Sequence, residues 1–527
     1  MESSWRAEPR RAKFAIHPAE GHRMGELRRA LTRVDTTALA VGTMIGTGIL
    51  LKPAVMAQEA GAAWSVLLAW VVGGALTLTA TLTYAELGAM FPRAGGEYVY
   101  LREAFGRGPA FVFGAARWVV GAGAAAAYGV AFATFLAALV PLEPMARKLV
   151  AAAVIATLTA LNCLGVRVGG RLQTVVAAAK VAGLLVLVVG LAAAVARGTA
   201  SLAFLGPAHA VSGARGGLAG FGAAVLASVW AYAGWFMVSM AAGEVKDPRR
   251  VLPFALTTAT FVVVALYVLV NVAFLAALPL DQIATASSTR FPHAPSVANR
   301  AATALLGGPG AAFATALFLV AVVGSLNGTM LAIPRVPYAM ARDGVLPALF
   351  GRVGDRSHVP VWSIVALGAL GTAFAWAGTF DQLTTTITLV YCVGFASNAV
   401  GLFRLRRRAP HAERPFRVPG YPVVPALFLL GSTGLLVNTS LTNPREATVA
   451  AALLVVCAAA YPLLRPRGQA PANGSPSASV DADRSDAPDA GLGVATSVAP
   501  SPRATSLSAS SARSASEPLG AASTGDP

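Results

Sequence analysis

Long apolar stretches separated by short polar segments run along the chain from residue 34 to 465. Twelve of them have approximate limits 34–58, 63–90, 109–138, 145–163, 172–196, 216–243, 251–278, 309–341, 360–378, 381–403, 421–440 and 446–464. About 20 helical residues cross a hydrocarbon core of ~30 Å, so each stretch is long enough to span a bilayer. The runs are helical in period or uniformly apolar, and too long for membrane strands, which argues against an outer-membrane barrel. The pattern predicts an all-α membrane protein with twelve transmembrane helices. Residues 1–33 form a basic N-tail with no apolar core, so no cleavable signal peptide is expected. Residues 466–527 are rich in Ser, Ala, Pro, Gly and Asp. They offer too little apolar surface to offset ordering entropy, and a disordered cytoplasmic C-tail is expected.

Composition and charge sharpen this. Of 527 residues 56 % are hydrophobic and only 12 % charged, against about 25 % charged in soluble domains. That density cannot coat a water-facing surface, which argues against a soluble enzyme. The net charge of +17 does not point to nucleic acid, because the basic residues are placed by topology. With the N-terminus inside, 28 Lys and Arg flank the spans on the inner side. Seven lie outside: Arg147, Lys148, Arg197, Arg215, Arg290, Arg300 and Arg445. The positive-inside rule then puts both termini in the cytoplasm of a multi-pass cell-membrane protein. Cys163, Cys392 and Cys457 form no CxxC pair and read as small apolar fillers. The sequence contains no catalytic Ser/His/Asp set, metal motif or phosphate loop, so no catalytic residue, metal or cofactor is expected.

Two spans carry helix-breaking clusters at mid-membrane. Span 1 reads VGTMIGTGILLKP at 41–53, and span 6 reads SVWAYAGWFMVSMAAGEVKDP at 228–248. Backbone that leaves the helix inside a bilayer is tolerated only where it is buried or lines a cavity. Spans 1 and 6 also open two five-helix halves, 34–196 and 216–403. An odd number of helices makes the halves enter the membrane from opposite sides. Matched interruptions in inverted halves mark a transporter binding site. The orphan N–H groups of one half-helix suit a carboxylate, and the orphan carbonyls of the other suit an ammonium. An amino acid presents both.

At these residues the chain resembles the amino acid–polyamine–organocation transporter superfamily, and within it the L-type amino acid transporters and their bacterial relatives. The resemblance covers residues 34 to 465. It rests on Gly46-Thr47-Gly48, YAELGAMFPRAGGEYVYLREAFG at 84–106, and WAYAGW at 230–235 followed by EVKDPRRVLPFA. GSLNGTM at 324–330 with ARDGVLP, and ERPFRVPGYPVVP at 413–425, complete it. It implies a LeuT-type fold: a 5+5 inverted repeat at 34–196 and 216–403, then two peripheral helices at 421–464. It implies amino acid transport by alternating access, with a cationic amino acid or polyamine antiporter, or an amino acid-sensing receptor, as the rival readings. Animal L-type transporters join a single-span glycoprotein through a cysteine in the 3–4 loop. Here that loop, ALVPLEPMARK, has none, so no disulfide-linked heavy chain is expected.

The resemblance also distributes roles. Met44, Ile45, Gly46, Thr47 and Gly48 of span 1, with Trp230, Ala231, Ala233 and Gly234 of span 6, would hold the substrate. Thr47 and Gly48 would donate N–H groups to its carboxylate, and carbonyls near Met44, Trp230 and Ala231 would receive its ammonium. Trp230 would cover the substrate, while Trp235 reads as packing. Ala233 stands where the family often has Gly or Asp, which narrows the pocket toward small or medium neutral amino acids. Lys180 lies roughly 12 Å inside span 5 at 1.5 Å per residue, and an ionisable residue there is functional by default. By resemblance its ammonium replaces a coupling sodium, near the carbonyls of Gly42 or Ile45 and the hydroxyls of Ser325 and Thr329. Transport would then be sodium-independent, as exchange or proton symport. Glu86, Glu97 and Glu244 are expected on solvated faces, within reach of Arg93, Arg249 or Arg250.

Overall fold

The computed structural model describes residues 27–198, 211–288, 290–291, 293–377 and 380–464. Most of the N-tail and all of the C-tail lie outside the described residues. The described residues are helical, with an isolated bridge between Leu31 and Val245 as the only strand-like pairing among them. In chain order the helices are α1 (Arg33–Met44), α2 (Gly48–Ala60), α3 (Ala63–Met90), α4 (Glu97–Phe105), α5 (Arg107–Leu136), α6 (Pro144–Cys163) and α7 (Val166–Ala196). There follow α8 (Gly217–Ala231), α9 (Met237–Met240), α10 (Pro248–Ala277), α11 (Leu280–Ala284), α12 (Val297–Leu306), α13 (Gly310–Ala332) and α14 (Arg335–Arg342). The last are α15 (Val361–Ala377), α16 (Phe380–Arg408), α17 (Val423–Thr442) and α18 (Pro444–Leu464).

By length and composition, ten helical segments among the described residues can cross a membrane, and α8 and α15 are shorter apolar helices. Their outer faces are apolar as well: Trp64, Leu218, Phe261, Leu430 and Leu463 are all exposed. A hydrophobic exterior of this kind is solvated by lipid, not water.

The first half packs against the second helix by helix. α2 lies on α8, α3 on α10, α5 on α13, and α6 on α15. α1 is held between α7, α10 and α13. Small residues allow this closeness: a Cβ added at Gly74 would sit 2.7 Å from the Val264 side chain, and one at Gly121 2.6 Å from Ile333. Without a hydrophobic drive between helices in lipid, such close packing is what holds them together.

The carboxylates of Glu86, Glu97 and Glu244 correct the expectation of solvated faces: all three are buried. Each is buried because an arginine from a remote segment neutralises it. Arg335 grips Glu244 with two bonds of 2.7 and 2.9 Å. Glu86 takes Arg406, Arg414 and the Val418 N–H, which anchors the 409–422 connection to α3. Arg117 pairs with Glu97 at 2.9 Å. Removing one member of such a pair leaves an uncompensated buried charge and costs about 3–5 kcal/mol.

Candidate functional site

α1 stops at Met44 because its next residues leave helical geometry: Ile45 has ψ 88°. In a continuous helix the Gly42 carbonyl would accept the N–H of Gly46. Here the Gly46 N–H bonds the Met44 carbonyl at 2.9 Å instead. The chain resumes as α2 at Gly48. The other interruption follows Ala231, where residues 232–236 form turns before α9.

The two interruptions touch. Gly234 has φ +123°, a conformation that L side chains rarely adopt, and a Cβ there would fall 2.3 Å from the Thr43 carbonyl oxygen. The Thr43 hydroxyl in turn reaches the Gly234 carbonyl at 3.0 Å, sharing its one proton between that carbonyl and those of Leu39 at 2.7 Å and Ala40 at 3.1 Å in its own helix. At the other end, a Cβ on Gly48 would lie 2.8 Å from the Ala231 Cα. Glycine at both positions is therefore a condition for the two helix ends to meet.

Where they meet there is a cavity of about 160 Å³. Met44, Gly46, Thr47 and Gly48 line it from one side, and Trp230, Ala231, Ala233 and Gly234 from the other. Ile45, the remaining substrate candidate, is not among the lining residues. None of the lining residues carries a charge. Trp230 donates its indole N–H to Thr388 at 3.0 Å, and the Lys52 ammonium stands 4.3 Å from its ring centroid. Trp235 is packed, stacked on Phe395 at 5.3 Å and edge-on to Tyr84 at 4.7 Å.

The carbonyls are already partly engaged, and here sequence reasoning missed a residue. Tyr267 of α10 donates its hydroxyl to the Met44 carbonyl at 3.0 Å, with the Ala231 carbonyl at 3.5 Å. With the Gly46 N–H, this gives Met44 two donors for its two lone pairs. The Trp230 carbonyl accepts the Ala233 N–H at 3.1 Å. The signal for Tyr267 was a hydroxyl inside the otherwise apolar run FVVVALYVLV.

Lys180 of α7 is wholly buried. Its ammonium lies 2.7 Å from the Gly42 carbonyl and 2.7 Å from the Ile45 carbonyl. The Gly42 carbonyl is available because α1 ends early; the ammonium stands in for the missing helical donor. Its stem passes Gly324, where a Cβ would lie 2.6 Å from both Cε and Nζ. Ser325 spends its proton on the Ala321 carbonyl at 3.0 Å, and Thr329 on the Ser325 carbonyl at 2.9 Å. These hydroxyls can offer only lone pairs to a neighbour. The Ser325 hydroxyl stands beside the interruption, 3.7 Å from where a Gly46 Cβ would be. A second unforeseen feature is a chain of buried amides: Asn162 donates to Asn327 at 2.9 Å, and Asn327 to Gln173 at 2.8 Å. Among the described residues no cluster of His, Cys, Asp and Glu could hold a metal ion.

An uncharged cavity at two helix ends, with a lysine holding backbone carbonyls beside it, is an arrangement suited to binding a small molecule. Comparison with known proteins agrees. A family model described as amino acid permease matches residues 31–460. The serine/threonine exchanger SteT of Bacillus subtilis (strain 168) is 29 % identical over 423 residues, covering 79 % of this chain and 92 % of that protein. The human cystine/glutamate transporter is 29 % identical, covering 77 % of this chain and 79 % of that protein. The vacuolar cationic amino acid transporter 4 of Arabidopsis thaliana is 30 % identical, covering 75 % of this chain and 66 % of that protein. These relatives are transporters, not enzymes. The chain belongs to the amino acid permease family, and so to the amino acid–polyamine–organocation superfamily of transporters.

Proposed function

We propose that the protein is a secondary active transporter of neutral amino acids in the cell membrane, independent of sodium, working by exchange or proton symport through alternating access. The observation that carries this reading is the meeting of two helix interruptions at an uncharged cavity beside Lys180. The substrate carboxylate would take the N–H groups that open α2, at Thr47 and Gly48, since a helix start leaves them without intrahelical acceptors. Its ammonium would take the carbonyl end of α8. With Met44 filled, Ala231 is the better acceptor, because the Tyr267 contact to it is long. Lys180 would serve as the built-in cation that ties α1 to α7.

The family's LeuT-type architecture, with twelve spans and halves at 34–196 and 216–403, is supported by the pairwise packing of α2 on α8, α3 on α10, α5 on α13 and α6 on α15. Cytoplasmic termini follow from the 28 to 7 distribution of basic residues. A reporter active only in the cytoplasm should work when fused after residue 467 and stay silent when inserted after residue 381. The reverse would overturn this orientation.

A cationic substrate is disfavoured because no carboxylate stands among the described residues that line the cavity. A thermal-shift screen tests the substrate class. A ligand at 100 times its Kd stabilises by about 2.7 kcal/mol. Small neutral amino acids should raise the melting temperature of the purified protein, while lysine, arginine and putrescine should leave it unmoved. Stabilisation by the cationic compounds alone would refute the neutral reading.

A further inference from the structure

Next to the cavity sits a guanidinium that its surroundings do not satisfy. Arg117 of α5 is 1 % exposed. Its Nε faces Glu97 Oε2 at 2.9 Å, and the other Glu97 oxygen accepts the Tyr84 hydroxyl. Its Cζ lies 3.8 Å from the Tyr391 ring centroid and 4.3 Å from that of Phe236. Both rings line the cavity. Yet none of its three nitrogens makes a well-formed hydrogen bond among the described residues, and the neighbouring Tyr391 hydroxyl is at most a poorly aligned acceptor for it. A guanidinium offers five N–H donors. Each one left buried without an acceptor is destabilising. An arrangement this costly at the edge of a binding cavity is explained if the acceptor arrives with the ligand.

We propose that Arg117, behind the rings of Phe236 and Tyr391, is a specificity-determining residue that receives a side-chain oxygen of the transported amino acid. Charge decides which oxygen. Glu97 already neutralises the guanidinium, so a second carboxylate would enter as an uncompensated buried anion, which is strongly disfavoured. A hydroxyl or amide oxygen brings the missing acceptor and no charge. The substrates singled out are neutral amino acids with a polar side chain, of the size and chemistry of serine, threonine, asparagine or glutamine. Phe236 or Tyr391 must turn aside to admit that oxygen, which couples recognition of the side chain to movement at the span 6 interruption.

This inference rests on the amino acid transport reading, and the test separates the two. Full-length protein in proteoliposomes takes up labelled L-alanine in competition with L-threonine or L-valine, a pair that differs by a hydroxyl in place of a methyl. Threonine should inhibit at roughly tenfold lower concentration or better, the value of one hydrogen bond to a charged group. In the double variant Arg117→Leu with Glu97→Gln, which leaves no orphaned charge, the two inhibitors should become equal while alanine uptake persists. Equal inhibition in the wild type, or an unchanged threonine preference in the double variant, would overturn the proposal. Should the double variant not transport, Arg117→Lys decides: a reduced preference supports the role and an unchanged one refutes it. Wild-type protein that takes up no amino acid refutes the transport reading itself.

Discussion

Lys180→Met should lower transport at least tenfold while the protein still purifies as a single species. Methionine keeps most of the length of the lysine stem and its packing against Gly324, and removes only the ammonium. The Gly42 and Ile45 carbonyls, now each 2.7 Å from Nζ, would lose that donor. A buried polar atom left unmade costs about 1–3 kcal/mol. Because both carbonyls belong to the frayed end of α1, the cost falls on the segment that has to move between states. The measurement is initial uptake in proteoliposomes across external pH. A Met variant with the wild-type rate and pH profile would remove Lys180 from the mechanism.

Gly234→Ala should abolish substrate binding altogether. The added methyl meets the Thr43 carbonyl oxygen at 2.3 Å, inside any tolerable contact, and the residue holds φ +123°. An L residue forced into such a conformation adds a strain of the order of 1–3 kcal/mol. Relief of the clash separates the end of α1 from the 232–236 turn and breaks the 3.0 Å bond between them. Gly222→Ala, within the preceding helix α8, is the control: nothing lies within 4 Å of its Cβ. Binding by calorimetry should be absent in the first variant and unchanged in the second. Binding retained by Gly234→Ala would mean that the meeting of the two interruptions is not the site.

The features that were legible in the sequence share one property: each is local. Gly46-Thr47-Gly48 and Gly234 stand out because helix breakers are costly inside a long apolar run. Lys180 stands out because a lone charge in such a run needs a reason. What stayed hidden depends on residues far apart in the chain. Glu86 meets Arg406 across 320 positions, and Glu244 meets Arg335 across 91. From a single sequence each looks like an ordinary surface charge, so burial was not foreseeable. Tyr267 lies 223 positions from the Met44 carbonyl it serves. The unsatisfied state of Arg117 follows from where Phe236 and Tyr391 place their rings, which no spacing encodes. Backbone interruptions are written in the amino acids that make them, whereas the partners that satisfy them are set by packing.

The proposed transport cycle turns on a fixed lysine, in place of a bound sodium ion, completing the amino acid site. Uptake of a labelled small neutral amino acid by wild-type proteoliposomes, with sodium replaced throughout by choline, tests it most directly. Saturable uptake at the rate seen with sodium is the expected result; uptake that appears only when sodium is restored would contradict it.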